Sequence, residues 1–291
     1  MRLSKTSYVY NGTNIKPVVT VTGGNKVLKS GTDYTVSYLN NKNAGDSLAM
    51  IVGKGNYKGT LIKTFTIKPA DISKYQAGIS ASSMEYNGAY RKPTVTVKNG
   101  ETVLKKDRDY AVMYTNNKNL GTATIKIVGD GNYKGIITKQ FKIRLVKGHT
   151  YTVGNIGYRV INPSITGSGT VAVKTIKNKN ISTIVINDFV NIGGKKMKII
   201  EIDASAFSYC KKLKAVTIGK PMQSIGTGAF KGCKMLKNIK ILGSNIKKVG
   251  ANAFKDINEK AIVKVPASKI KSYKILLKNA GLSEKAIIEK L

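Results

Sequence analysis

The side chains from which this chain could build an active centre are few: one histidine, two cysteines and fifteen Asp plus Glu in 291 residues. Any Ser-His-Asp or Cys-His relay must use His149, which stands at a junction between repeated blocks and carries no catalytic assignment. One His and two Cys do not make an ordinary zinc ligand set. Asp33, Asp109 and Asp130 are isolated from one another and show no D-x-[DN]-x-[DN]-G calcium-loop spacing. Gly53-Lys54-Gly55-Asn56-Tyr57-Lys58-Gly59 has the glycines and lysine of a phosphate-binding loop. It lacks the Gly-Lys-Ser/Thr ending and the following helix whose N-terminus would hold the phosphate, and with period-two segments on both sides it is expected to be a hairpin turn. No catalytic, cofactor-binding or metal-ligating residue is assigned, no cofactor is called for, and the chain reads as a non-enzyme.

Cys210 and Cys233 occupy the same place in adjacent repeats. Paired strands lie about 4.7 to 4.9 Å apart, within the Cα separation of about 4.4 to 6.8 Å that a disulfide accepts, so a bond stays open. Equivalent positions project their Cβ vectors in parallel, and no third Cys follows Phe254; both favour buried free thiols. Tyr8, Tyr10 and Tyr57, with Tyr86, Tyr90 and Tyr133, offer rings on which sugars could stack. Tyrosine beside β-branched residues is also ordinary strand composition, and Trp is absent; strand packing is the preferred reading.

The cysteines belong to a repeat that runs from Ile202 to Phe254. Ala206-Phe207-Ser208-Tyr209-Cys210-Lys211-Lys212-Leu213 returns as Ala229-Phe230-Lys231-Gly232-Cys233-Lys234-Met235-Leu236, and Ala253-Phe254 opens a third copy. A period of roughly two dozen residues signals a solenoid. Leu213-x-x-Val216-x-Ile218 and Leu236-x-x-Ile239-x-Ile241 follow the L-x-x-L-x-L spacing of a leucine-rich repeat. One such turn cannot bury its own apolar face, so Phe207, Phe230 and Phe254 are expected to stack as an interior column. The pattern I-G-x-x-A-F-x-x-C-x-x-L-x-x-V-x-I, present as Ile225-Gly226, Ala229, Phe230, Cys233, Leu236, Ile239 and Ile241, resembles the BspA-like (treponemal-type) leucine-rich repeats of bacterial surface proteins. The resemblance covers the last half of the chain and implies an extracellular, non-enzymatic binding or adhesion module.

The first half is duplicated too. Tyr10-Asn11-Gly12, Lys16-Pro17, Asp33-Tyr34, Asn40-Asn41-Lys42-Asn43 and Gly55-Asn56-Tyr57-Lys58-Gly59 recur as Tyr86-Asn87-Gly88, Lys92-Pro93, Asp109-Tyr110, Asn116-Asn117-Lys118-Asn119 and Gly131-Asn132-Tyr133-Lys134-Gly135. Val19-Thr20-Val21, Tyr34-Thr35-Val36-Ser37-Tyr38 and Phe65-Thr66-Ile67 alternate as half-buried strands do, with Gly- and Asn-rich turns between them. The set resembles the immunoglobulin-like repeats, called MBG-like, that occur in tandem on large surface proteins of Gram-positive bacteria, where they act as spacers or adhesive units.

The expected fold class is mainly β. Two tandem immunoglobulin-like β-sandwich repeats, residues 1–70 and 77–145, precede a leucine-rich-repeat solenoid with N- and C-terminal caps, residues 147–291. The short linkers Lys68-Pro69-Ala70-Asp71-Ile72-Ser73 and Arg144-Leu145-Val146-Lys147-Gly148, poor in Gly and Ser, suggest a stiff rod. Strands around Tyr151, Tyr158 and Thr170 are expected to form the N-terminal cap; residues 189–199 should insert a hairpin turning at Gly193-Gly194. Ile270, Tyr273, Leu277 and Ala280, between Ser268 and Gly281, predict an amphipathic helix that seals the far end.

Fifty Lys plus Arg against fifteen Asp plus Glu give a net charge of +35. Such charge attracts anionic polymers, but the lysines are spread along all domains with no block of five or six, so solvated sheet faces and protected edges explain them better. No run of eighteen apolar residues would span a membrane. The expected protein is a basic, monomeric cell-surface or secreted adhesin whose signal peptide and anchor lie outside the sequence. The solenoid would recognise a host or matrix protein or glycan while the sandwiches act as stalk. A structural spacer of a larger wall protein and a charge-driven binder of wall anionic polymers are the alternatives; specific nucleic-acid binding is not expected.

Overall fold

The computed structural model describes residues 1–291 and is mainly β with a single α-helix. The chain divides into two compact units: Met1–Ser82 with Lys92–Asn116 and Ala123–Phe141, and Ser83–Arg91 with Asn117–Thr122 and Lys142–Leu291.

In the first unit the alternating segments become strands as their period predicts. Tyr34–Leu39, Gly45–Gly53, Thr60–Lys68 and Ser7–Val9 lie side by side in that order. The middle strands pair antiparallel, and Ser7–Val9 joins the edge in parallel. Their inward residues Tyr34, Ala49, Ile51, Phe65 and Ile67 join Leu3, Ile15, Val21 and Leu28 in one core. The first repeat also has short antiparallel pairs, Arg2–Leu3 with Val19–Thr20 and Thr22–Gly23 with Lys26–Val27. Val21 lies just beyond its expected strand, still buried. The 53–59 loop is the predicted hairpin turn, closed by the Gly53 N–H donating to the Gly59 carbonyl at 3.0 Å. A Cβ at Gly53 would lie 2.7 Å from the Tyr57 carbonyl oxygen, which is why glycine stands there.

The duplication is structural down to side-chain bonds. The Tyr34 hydroxyl donates to the Val19 carbonyl and that of Tyr110 to the Val95 carbonyl, each at 3.2 Å. Tyr38 donates to Pro17 at 2.5 Å as Tyr114 does to Pro93 at 2.6 Å. In the second repeat Val95–Asn99 pairs with Gln76–Ile79 and with Thr102–Val103.

The second unit contains the solenoid. Thr150–Val153, Ile156–Asn162 and Thr170–Ile176 form its antiparallel entry sheet, and Phe189–Ile192 with Lys195–Ile202 forms the predicted hairpin about Gly193-Gly194. Parallel stacking then begins. One sheet runs Thr183–Ile186, Ala215–Ile218, Asn238–Ile241, Ile262–Val265 and Ile287–Lys290; the other continues Lys195–Ile202 through Ser224–Ile225 and Lys248–Val249. Between the sheets the rings of Phe207 and Phe230 stack with centroids 5.1 Å apart, and Phe230 and Phe254 follow at 5.5 Å. All three are buried, as the repeat logic requires.

The far end departs from expectation in two respects. The helix Ile270–Asn279 forms and buries Tyr273 and Leu277, and Gly281 follows at φ +89. Ser268 does not cap it; Ser268 lies in a short 3-10 turn, and the N-cap Lys269 makes no side-chain bond. The helix does not close the sheet either, because Ile287–Lys290 adds a fifth parallel strand beyond it. Ala286-Ile287-Ile288 repeats Ala261-Ile262-Val263 one period later, a signal that the helix pattern overshadowed.

Candidate recognition surface of the solenoid

The repeat pattern makes a flat sheet with one face buried, and the alternation of each strand determines what the other face displays. Val216, Ile218, Ile239, Ile241, Val263 and Val265 point into the core and are buried. The residues between them form outward ladders. In register, Val185, Thr217, Lys240, Lys264 and Glu289 make one row, and Thr183, Ala215, Asn238, Ile262 and Ile287 the next. The first row ends in an exposed ion pair, Lys264 Nζ to Glu289 Oε1 at 3.1 Å. Surface pairs of this kind contribute little stability, which leaves their charges available to a ligand.

At one end of the ladder the surface turns apolar. Val185, Phe189 and Leu242, exposed by 58%, 46% and 36%, border a depression of about 390 Å³ together with Asp188 and Gly219. Asp188 Oδ1 accepts from the Lys220 N–H at 2.7 Å. A Cβ at Gly219 would lie 2.6 Å from that same oxygen, so the floor must stay bare. Aromatic and aliphatic side chains beside a few polar groups make a surface suited to binding. Sequence reasoning named none of these residues; their outward period-two positions were the available signal.

The residues weighed in the sequence as chemistry do not converge. His149 stacks on Tyr151, centroids 4.9 Å apart, with Nδ1 2.6 Å from Glu85 Oε1. The Tyr151 hydroxyl donates to that carboxylate at 2.7 Å and accepts from the Val146 N–H. Burial first, and then the Glu85 bond, push the Tyr151 phenol up to about 12. These groups hold the solenoid entry rather than a nucleophile. Asp109 is gripped by Arg108 through two hydrogen bonds, 2.8 and 2.7 Å, which hold its carboxyl below the usual range. Asp33 accepts from the Lys29 N–H, and no three metal-binding side chains come together.

Cys210 and Cys233 are free and buried. The Cys233 thiol donates to the Phe207 carbonyl at 3.1 Å. Its interaction with Cys210, and burial after it, raise the Cys233 thiol well above its ordinary value. The same contact lowers Cys210, but both side chains are fully buried between the turns, where they act as packing groups. Of the tyrosines, Tyr10 and Tyr133 meet edge-on at 5.3 Å, while Tyr8 packs edge-on to Phe65 at 5.9 Å and exposed Tyr90 lies beneath Lys118 Nζ at 5.4 Å. Burial, ahead of the neighbouring Tyr10, pushes the Tyr133 phenol up to about 12. No continuous stacking platform results.

Residues 200–281 match the family model of the BspA type leucine rich repeat region, in six copies. No curated protein matches the chain. Among solved structures, a leucine-rich repeat protein from Bacteroides capillosus is 18% identical, covering 48% of this chain and 98% of its own, with a TM-score of 0.35. A leucine rich cell surface protein from Faecalibacterium prausnitzii is 20% identical over 50% of this chain and 44% of its own, TM-score 0.34. The Treponema pallidum leucine rich repeat protein is 17% identical over 48% of this chain and 65% of its own, TM-score 0.28. The chain therefore spans less than half the length of the second of these.

Proposed function

We propose that this chain, whose residues 200–281 form a BspA-type leucine-rich repeat region, is a non-enzymatic surface protein in which the solenoid recognises a protein or glycan ligand and the two N-terminal repeats hold it out as immunoglobulin-like stalk modules. The observation that carries this reading is the outward ladder Val185, Thr217, Lys240, Lys264 and Glu289, ending at the apolar depression of Val185, Phe189 and Leu242. Those side chains contribute no core, yet they are held on a rigid sheet in fixed register, the condition under which a surface can be selective. No helix is long and apolar enough to cross a membrane, in keeping with a module displayed at a surface.

A glycan and matrix-protein array probed with the full chain tests the proposal. A selective hit should persist at physiological salt and weaken at least tenfold in Phe189→Ser and Lys240→Glu, with unfolding midpoints unchanged. Hits that survive both substitutions would place recognition elsewhere and leave the solenoid a spacer.

A further inference from the structure

The two N-terminal repeats meet through a plug and a socket. The plug is the loop Gly131-Asn132-Tyr133-Lys134-Gly135 of the second repeat; the socket belongs to the first. The Ala44 N–H donates to Asn132 Oδ1 at 2.7 Å, and the Ala70 N–H to the Asn132 carbonyl at 3.0 Å. Tyr133-Lys134 pairs in parallel with Ala70-Asp71, and the Tyr133 ring lies edge-on to Tyr10 and to Tyr75, 5.3 and 6.2 Å away. A Cβ at Gly135 would lie 2.1 Å from Asp71 Oδ1. The socket is therefore a Tyr10 ring, a Tyr75 ring and two backbone N–H groups.

The second repeat carries the counterpart 76 residues later, as Tyr86, Tyr151 and the Leu120 N–H; the Val146 N–H, which stands for that of Ala70, is taken by the Tyr151 hydroxyl at 3.1 Å. A different plug fills it. The Leu120 N–H donates to the Gly193 carbonyl at 3.0 Å, and a Cβ at Gly193 would lie 2.8 Å from both Leu120 Cγ and the Tyr86 ring. The hairpin inserted before the first full leucine-rich repeat thus stands where another repeat would present its Gly-Asn-Tyr loop. Two unrelated loops in one kind of socket mark it as a docking device.

The first repeat has a plug of its own, Gly55-Asn56-Tyr57-Lys58-Gly59, identical in sequence to residues 131–135. It is empty-handed. Asn56 is exposed where Asn132 is half-buried, Tyr57-Lys58 forms no strand where Tyr133-Lys134 does, and a Cβ at Gly59 would meet nothing within 4 Å. We propose that this loop is a docking end for the Tyr/N–H socket of a further repeat of the same type. A second copy of this chain does not qualify, since the Ala44 and Leu120 N–H groups of its two sockets already donate to Asn132 and Gly193, so the partner is a like repeat with its socket open.

The test fuses a copy of residues 1–76 directly ahead of Met1 of the full chain, with Val52→Ile in the added copy so that its peptides are distinguishable by mass. Hydrogen exchange is then followed on three loops in one sample: the docked 130–136 loop, the added copy's own open 54–60 loop, and the original 54–60 loop. The original loop should slow at least tenfold relative to the open one and approach the docked one. Tyr10→Ser in the added copy should return it to the open rate. An original loop that exchanges as the open one does, or that stays slow with Tyr10→Ser, overturns the proposal. Concentration-dependent slowing in the unfused chain also overturns it, by making the partner a second copy.

Discussion

Arg159 holds Asp203 with two hydrogen bonds, Nε to Oδ2 at 2.7 Å and Nη2 to Oδ1 at 2.6 Å, tying the entry sheet to the first full turn of the solenoid. Asp203 is buried, and Lys174 Nζ stands 3.7 Å from its Oδ2. Asp203→Asn keeps the shape and removes the charge, leaving the half-buried Arg159 guanidinium with only the Glu201 carboxylate, 3.7 Å away. The expected loss is about 1.5 to 3 kcal/mol, the range for hydrogen bonds to charged groups. Chemical denaturation would show it as a lower midpoint; an unchanged midpoint would mean that water serves Arg159 as well as Asp203 does.

Phe230 stacks on both Phe207 and Phe254, so Phe230→Ala removes the middle of the column. A cost of roughly 3 to 5 kcal/mol is expected. The loss should be cooperative across turns, because each turn is stable only against its neighbours. Urea unfolding followed by hydrogen exchange on the flanking strands checks both parts.

Alkali should act through Tyr151, alongside the similarly raised Tyr133. Its phenol is raised from 10 to about 12 in the folded chain, so the neutral form is the one that folding favours. The unfolded chain ionises first as pH rises past 10; the stabilisation is complete below pH 10 and is lost as pH climbs toward 12. Tyr151→Phe should flatten this part of the stability profile relative to the unaltered chain. Parallel profiles for the two proteins would refute the assignment.

Cutting at the solenoid entry should weaken it without unfolding it. A fragment of residues 147–291 keeps the Phe column but loses Glu85, Tyr86 and Leu120, which serve Tyr151 and Gly193. It should melt about 5 °C below a fragment of residues 77–291, the shift that roughly 2 kcal/mol gives at this size. Trypsin should cut the intact chain first near exposed Lys147.

The +35 charge should produce weak and unselective binding. Affinities for DNA, a heparin-like glycan and teichoic acid should rank by charge density and fall steeply between about 50 and 200 mM salt, as counterion release requires. One acidic polymer bound tightly at physiological salt, against competitors of equal charge, would move charge-driven recognition ahead of the adhesin reading.

Repetition made much of this protein legible without coordinates. An Ala-Phe pair returning each turn, and L-x-x-L-x-L beside it, can bury apolar surface only by stacking, so the Phe column, the parallel sheet and the entry hairpin at Gly193-Gly194 followed from local pattern alone. The glycine loop at 53–59 was likewise readable as a turn, because its neighbours alternate and no helix follows. The helix at 270–279 was legible from its spacing, while the strand at 287–290 was not, since four residues acquire strand character only from the edge of Ile262–Val265 that they cover. What each outward residue faces was also undecided by pattern: register alone brings Val185, Thr217 and Lys240 into one row. Most of all, identical loops behave differently. Gly55-Asn56-Tyr57-Lys58-Gly59 and Gly131-Asn132-Tyr133-Lys134-Gly135 have the same local preferences, yet only the second pairs as a strand, because a parallel partner at Ala70-Asp71 satisfies its backbone. That partner is supplied by the fold, and no local sequence can announce it.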